Sequence, residues 1–145
     1  MIDLLDRLGS RGVAMAIDDL EFDLLVEQLG KQRFVNHEMG LAHDGRPNVL
    51  GFVRDWGSGI ADVVVIVDEA HACAWRTAIG PDVDVFAPDR VSWSYAHTPV
   101  WTLRALLTMP PPGHPAEPFQ PMPLPTGCKI PEGARMNQRI RMRQR

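Results

Sequence analysis

Apolar positions recur along this chain in two periods, near 3.6 and near 2, and the change between them divides it into elements. Ile2, Leu5 and Leu8 fall at helical spacing ahead of Gly9, which predicts a short helix over residues 1–8. Val13 to Ile17 reads as a short strand. The clearest helical pattern covers 19–29, where Phe22 pairs with Val26 and Leu25 with Leu29. Asp18 is placed to cap it, with Glu21 completing a capping box and Gly30 as the stop. Asp19, Glu21 and Asp23 put negative charge in the first turn, where the helix dipole favours it.

The period then shortens to two. Residues 33–37 and 48–53 flank Asp44-Gly45 and predict a hairpin over 32–54. Gly57-Ser58-Gly59 breaks the chain. Val63-Val64-Val65-Ile66-Val67 is apolar and β-branched at every position, as expected of a central strand covered on both faces. Residues 71–79 should return beside it. From 91 to 97 the alternation puts Val91, Trp93, Tyr95 and His97 on one face. Residues 100–109, with Trp101, Leu103, Leu106 and Leu107, fit either a helix or a further strand. The four tryptophans read as core, with Trp75 and Trp93 placed for a cross-strand pair. The fold class that follows is α+β: an N-terminal helical segment, a mainly antiparallel sheet and an extended proline-rich C-terminal arm.

Composition changes this picture after Met109. Nine of the 13 prolines lie between 110 and 131, where they preclude regular ladder or helix bonding. This stretch should be extended, lying over the body or projecting from it. The expected organisation is a globular domain over 1–109, a proline-rich arm over 110–132 and an arginine-rich tip over 133–145. Phe119, Met122, Leu124 and Ile130 are the arm's apolar docking points.

Charge separates along the same line. The net charge of −3 divides into −8 over residues 1–128 and +5 over 129–145. Arg135, Arg139, Arg141, Arg143 and Arg145 carry most of the latter, and such a segment reads as an interaction tail or a solvated terminus. No aromatic residue is interleaved with these arginines, so base stacking is not indicated. Cys73 and Cys128, 55 positions apart, match no zinc-ribbon spacing and make a weak disulfide framework. Free thiols in a soluble cytoplasmic protein are the simplest expectation. No apolar run is long enough to suggest a membrane span, and the N-terminus does not read as a signal peptide.

Three clusters carry candidate chemistry. Val65-Ile66-Val67-Asp68-Glu69-Ala70-His71 resembles the Walker B strand and DEAH box of helicases. That family also needs a glycine-rich phosphate loop, and no G-x-x-x-x-G-K-[ST] occurs here. Asp68-Glu69 therefore reads as a hairpin turn. Glu69, His71 and Cys73 alternate onto one strand face, and His97 ends a neighbouring strand, which makes these four weak zinc candidates. His37, Glu38, His43 and Asp44 flank the first hairpin turn with no acid–base signature. No cofactor is expected and an enzyme is the less favoured class. The expected function is a noncatalytic interaction or structural protein. It would engage a protein partner or another copy through Phe119, Met122, Arg135, Arg139, Arg141, Arg143 and Arg145. A nucleic-acid-associated protein using the same basic tip is the alternative, and a metal-dependent enzyme the least supported.

Overall fold

The computed structural model describes residues 16–41, 47–136 and 138–141. The helix predicted over 1–8, the first hairpin's turn residues Asp44 and Gly45, and Arg143 and Arg145 lie outside them. Helix α1 spans Ala16–Lys31. It takes in Ala16 and Ile17, the end of the run read as a strand, and it passes through the expected glycine stop. The turn that ends it is built on Arg33, at φ 69°. Phe34 N–H donates back to the Leu29 carbonyl and Arg33 N–H to that of Gly30. This left-handed position normally takes glycine, and for another L-residue it costs roughly 1–2 kcal/mol.

The predicted hairpin is β1, Val35–Met39, against β2, Val49–Asp55. β3, Ile60–Ile66, and β4, Ala72–Ala78, follow as antiparallel neighbours. β5 is Arg90–Val91 and β6 is Trp93–His97. The stretch read as helix or strand over 100–109 forms a helix that stops at Leu107: α2 is Pro99–Leu107, with Pro99 at its first turn. β7, Met122–Pro123, pairs with β5, and β8, Gln138–Arg141, pairs with β1. Among the described residues the main sheet is antiparallel, in the order β6-β4-β3-β2-β1-β8. The fold is α+β.

The all-apolar β3 explains the layering. Val64 and Ile66 face a core built with Phe52, Ala74 and the helix residues Phe22, Leu29, Leu103 and Leu106. Val63 and Val65 face the other way, into a second core with Trp75, Cys73, Phe86 and Val91. Each fully buried valine contributes on the order of 1.5–3 kcal/mol. No α-helix covers that second face among the described residues, although two 3-10 turns, Thr126–Cys128 and Glu132–Met136, contribute to it. It is covered by loop residues Val85 and Phe86, by Met122, Leu124, Cys128 and Ile130 of the proline-rich segment, and by Ala134 at the start of the arginine-rich tip. Gly51 makes room for this layer: a Cβ on it would lie 2.6 Å from Phe86 and 2.7 Å from Met39.

The thiols are not free. Cys73 on β4 and Cys128 on the proline-rich segment form a disulfide, with Cα atoms 5.4 Å apart, inside the usual range of roughly 4.4–6.8 Å. Proline supplies no ladder donors, so a covalent tie replaces the hydrogen bonds that would otherwise hold this layer to the sheet. The bond closes a loop with a sequence separation of 55, for which chain entropy gives a ceiling of about 4 kcal/mol. Replacing both cysteines with alanine should lower unfolding free energy by about 2–4 kcal/mol in urea titrations, and the native protein should show no thiol reactive toward Ellman's reagent. Gly51→Val should cost about 1–3 kcal/mol by overpacking, read in the same titrations, because even its Cβ would press on the Phe86 ring at 2.6 Å.

Candidate interaction surface

The alternation read over 91–97 breaks once, at Ser92. Its N–H donates to the Arg76 carbonyl at 2.9 Å, and the chain bends there. Val91 consequently belongs to the second core, while Trp93 packs against the helix-side core. Register places Trp93 opposite Arg76 and Ser94 opposite Trp75. Trp75 and Trp93 therefore lie on opposite faces and do not form the expected pair. From Trp93 onward the period of two holds, and the alternate side chains stack. Trp93 and Tyr95 lie 6.4 Å apart at 14°, and Tyr95 and His97 lie 6.2 Å apart at 27°.

Helix α2 extends this ridge. Its buried residues are Pro99, Thr102, Leu103 and Leu106, an i, i+3, i+4, i+7 stripe. Trp101 falls off the stripe, so it is not core: it is 51% exposed. It meets His97 edge-on at 6.2 Å and lies under the Arg104 guanidinium at 4.8 Å. Arg104 Nε also donates to Glu21 of α1 at 2.7 Å, fixing α2 against α1.

A buried ion network anchors the inner end of the ridge. Arg54, Asp62, Arg76 and Trp93 form one row across β2, β3, β4 and β6. The Arg76 side chain has no exposure. It donates to both Asp62 oxygens, at 2.6 and 2.9 Å, and to Glu117 at 2.7 Å. Trp56 Nε1 adds a further donor to Asp62 at 2.9 Å. The proline-rich segment thus passes around the sheet. Met122 lies against the second core, Gln120 N–H donates to the Ser92 carbonyl at 2.8 Å, and Glu117 reaches the helix side. Next to Gln120, Phe119 is 67% exposed beside the start of β6.

The other sequence candidates are dispersed. Arg135 pairs with Asp84 at 2.9 Å and lies over Phe86, and Arg139 Nε donates to the buried Glu38 at 2.9 Å. Arg141 pairs with Asn36 in the β1–β8 ladder. Met122 is half-buried, so Phe119 is the apolar arm candidate that stands in solvent. Cys73 is disulfide-bonded and offers no thiolate to a metal. It also lies on the face opposite His97, because its register partner is Ala96. Glu69 is exposed in the β3–β4 turn. His71 pairs with Asp68 at 2.9 Å, and Asp68 Oδ1 accepts the Ala70 N–H at 2.8 Å, the hairpin turn expected there. No group of three metal-ligating side chains occurs among the described residues. His37 packs edge-on against Phe86 at 5.0 Å, and burial, then Arg135, lower its pKa. His43 and Asp44 lie outside the described residues.

No helix among those described is long and apolar enough to cross a membrane. Comparison with protein-family models, with curated proteins and with solved structures gives no match.

The network has a pH signature. The Gly113 N–H and then the Arg76 guanidinium hold the Glu117 carboxyl below its ordinary value of 4.5. Its folded pKa is lower than its unfolded one, so its stabilisation is present above the ordinary glutamate range and is lost as pH falls through the folded pKa. Glu117→Gln should cost about 1–2 kcal/mol at neutral pH and flatten the fall in melting temperature toward acid. Melts from neutral pH down to about pH 3, below the ordinary glutamate range, check both effects.

Proposed function

We propose that this chain is a noncatalytic interaction domain that engages a second copy of itself through the outer edge of β6. The observation that supports this most is the contrast between the two ends of the sheet. Edge strands invite pairing unless charge, proline or a bulge protects them. β8 reads Gln-Arg-Ile-Arg, which is charged. β6 reads Trp-Ser-Tyr-Ala-His, with no lysine, arginine, carboxylate or proline along its five residues. A neutral strand can pair with its own copy without like-charge repulsion. An antiparallel arrangement would set Tyr95 opposite Tyr95 of the second copy.

Flanking residues support the same edge. Trp101 and Phe119 are exposed next to it, and Arg104 lies over Trp101. Tryptophan, tyrosine and arginine are the residue types over-represented at interface hot spots. Of the two partners expected from the sequence, a second protein or another copy, this reading takes the second, and it moves the surface from the arm and arginine tip to β6, with Phe119 as the arm's contribution. Arg135 and Arg139 are engaged with Asp84 and Glu38, which weakens the case for a nucleic-acid tail. The disulfide favours an oxidising surrounding over the reduced cytoplasm expected from the sequence.

The test is the oligomeric state. Light scattering on a sizing column, over a concentration series, should show a dimer for the wild type. Ala96→Lys places a charge at an exposed position of β6 and should give a monomer with an unchanged circular dichroism spectrum, while Ala96→Ser should remain dimeric. A wild type that stays monomeric across the series, or an Ala96→Lys variant that stays dimeric, overturns the proposal.

A further inference from the structure

At the opposite end of the helix layer from Trp101, an open cavity of about 450 Å³ lies between the last turns of α1 and α2 and the end of β2. Its volume is within the range of small-molecule sites. Three of its lining side chains are cationic, Lys31, Arg33 and Arg54, and the one carboxylate is Asp62. Asp62 is already held by Arg76 and Trp56. Among the described residues none of the three cations makes a salt bridge. The Arg54 guanidinium stacks 3.6 Å over Trp56 and donates to the neutral Gln32 amide at 3.2 Å. Leu107, Met109 and Pro111 supply apolar wall.

Complementing the α1 dipole does not explain this set. Lys31 alone stands in the last turn, and the turn's backbone donors already occupy the carbonyls of Gln28, Leu29 and Gly30. Arg33 is there despite its backbone: it holds the left-handed φ of 69° that glycine would take without strain. Strain of this kind gathers at sites that use the side chain it positions. Burial, and then the nearby Arg76 and Arg33 charges, depress the Arg54 pKa against the opposing pull of Asp62. Clustered guanidinium groups facing one cavity repel each other until an anion enters.

We infer that this cavity binds a small organic oxyanion, a carboxylate or phosphate head joined to an apolar body. Arg33, Arg54 and Lys31 receive the head. Trp56, Leu107 and Met109 take the body. Arg54 is pre-ordered for this by its stacking on Trp56, so little side-chain entropy is lost when the head docks.

Isothermal titration with four probes tests the site: octanoate, phenyl phosphate, inorganic phosphate and the neutral octanamide. Octanoate or phenyl phosphate should bind, and the stronger of the two identifies the head. Octanamide and inorganic phosphate should bind at least tenfold more weakly. Arg54→Gln should weaken the better probe at least tenfold. Arg33→Gly should do the same while holding or raising the melting temperature, because glycine relieves the strained turn, so lost binding cannot be ascribed to lost folding. The inference is overturned if neither organic anion binds at millimolar concentration, if octanamide binds as well as octanoate, if inorganic phosphate binds as well as phenyl phosphate, or if both variants bind like the wild type.

Discussion

A sheet that is apolar on both faces must be covered twice, and this constraint organises the molecule. β3 buries Val64 and Ile66 on one side and Val63 and Val65 on the other. Two helices cover the first side. For the second, the chain supplies loop and proline-rich segment, which cannot complete a regular hydrogen-bonded layer. The consequences follow in order. Gly51 leaves space for Phe86, the Trp75 indole donates to the Val85 carbonyl at 2.9 Å, and the Cys73–Cys128 bond ties the layer down. The segment then has to pass around the sheet edge. Glu117 closes that passage on a fully buried arginine.

The Arg76–Asp62–Glu117 network also limits what can vary. A buried guanidinium is tolerated because its charge is answered on two sides by carboxylates. One of these comes from β3 and the other from the proline-rich segment, so the network holds layers together that share no strand pairing. Its position beside Trp93 links the same constraint to the aromatic ridge. The bend at Ser92 and the position of Phe119 share one set of contacts, the Ser92 bonds to Arg76 and Gln120.

Much of the fold was legible in the sequence because its signals are local. The α1 periodicity, the hairpin flanking Asp44-Gly45, the central Val63–Val67 run and the return over 71–79 depend on neighbours a few residues away. The misses depend on distant ones. Val91 and Trp93 share a period yet face opposite ways, because Ser92 bonds to Arg76 on a strand 16 residues back. Two cysteines 55 positions apart carry no pairing information until the segment between them has folded. The arginine tip reads as free because nothing local announces that Arg139 pairs with Glu38 of the neighbouring strand β1, about a hundred residues earlier. For the candidate surface, the Trp93-Tyr95-His97 alternation was visible, but the position of β6 at an edge was not. The exposure of Trp101 was recoverable from the 99/102/103/106 stripe, which leaves it outside.

Natural chains keep local preference and global fold in agreement, and departures gather where something other than folding is served. Arg76 is no departure, since each of its contacts has a stabilising partner. Arg33 is one. It occupies a backbone position suited to glycine, and its charge adds to an excess that Lys31 and Arg54 already create. Folding alone would favour glycine there and would tolerate a neutral residue at 54. The β6 edge is a departure of a different kind, because among the described residues it carries no protecting charge along its five positions, whereas β8 carries two arginines. The two features lie at different ends of the helix layer and call for different partners, an oxyanion in one case and a strand in the other. One register row, from Arg54 through Asp62 and Arg76 to Trp93, runs between them, and within it Arg76 is ion-paired with Asp62 while Arg54 stacks over Trp56.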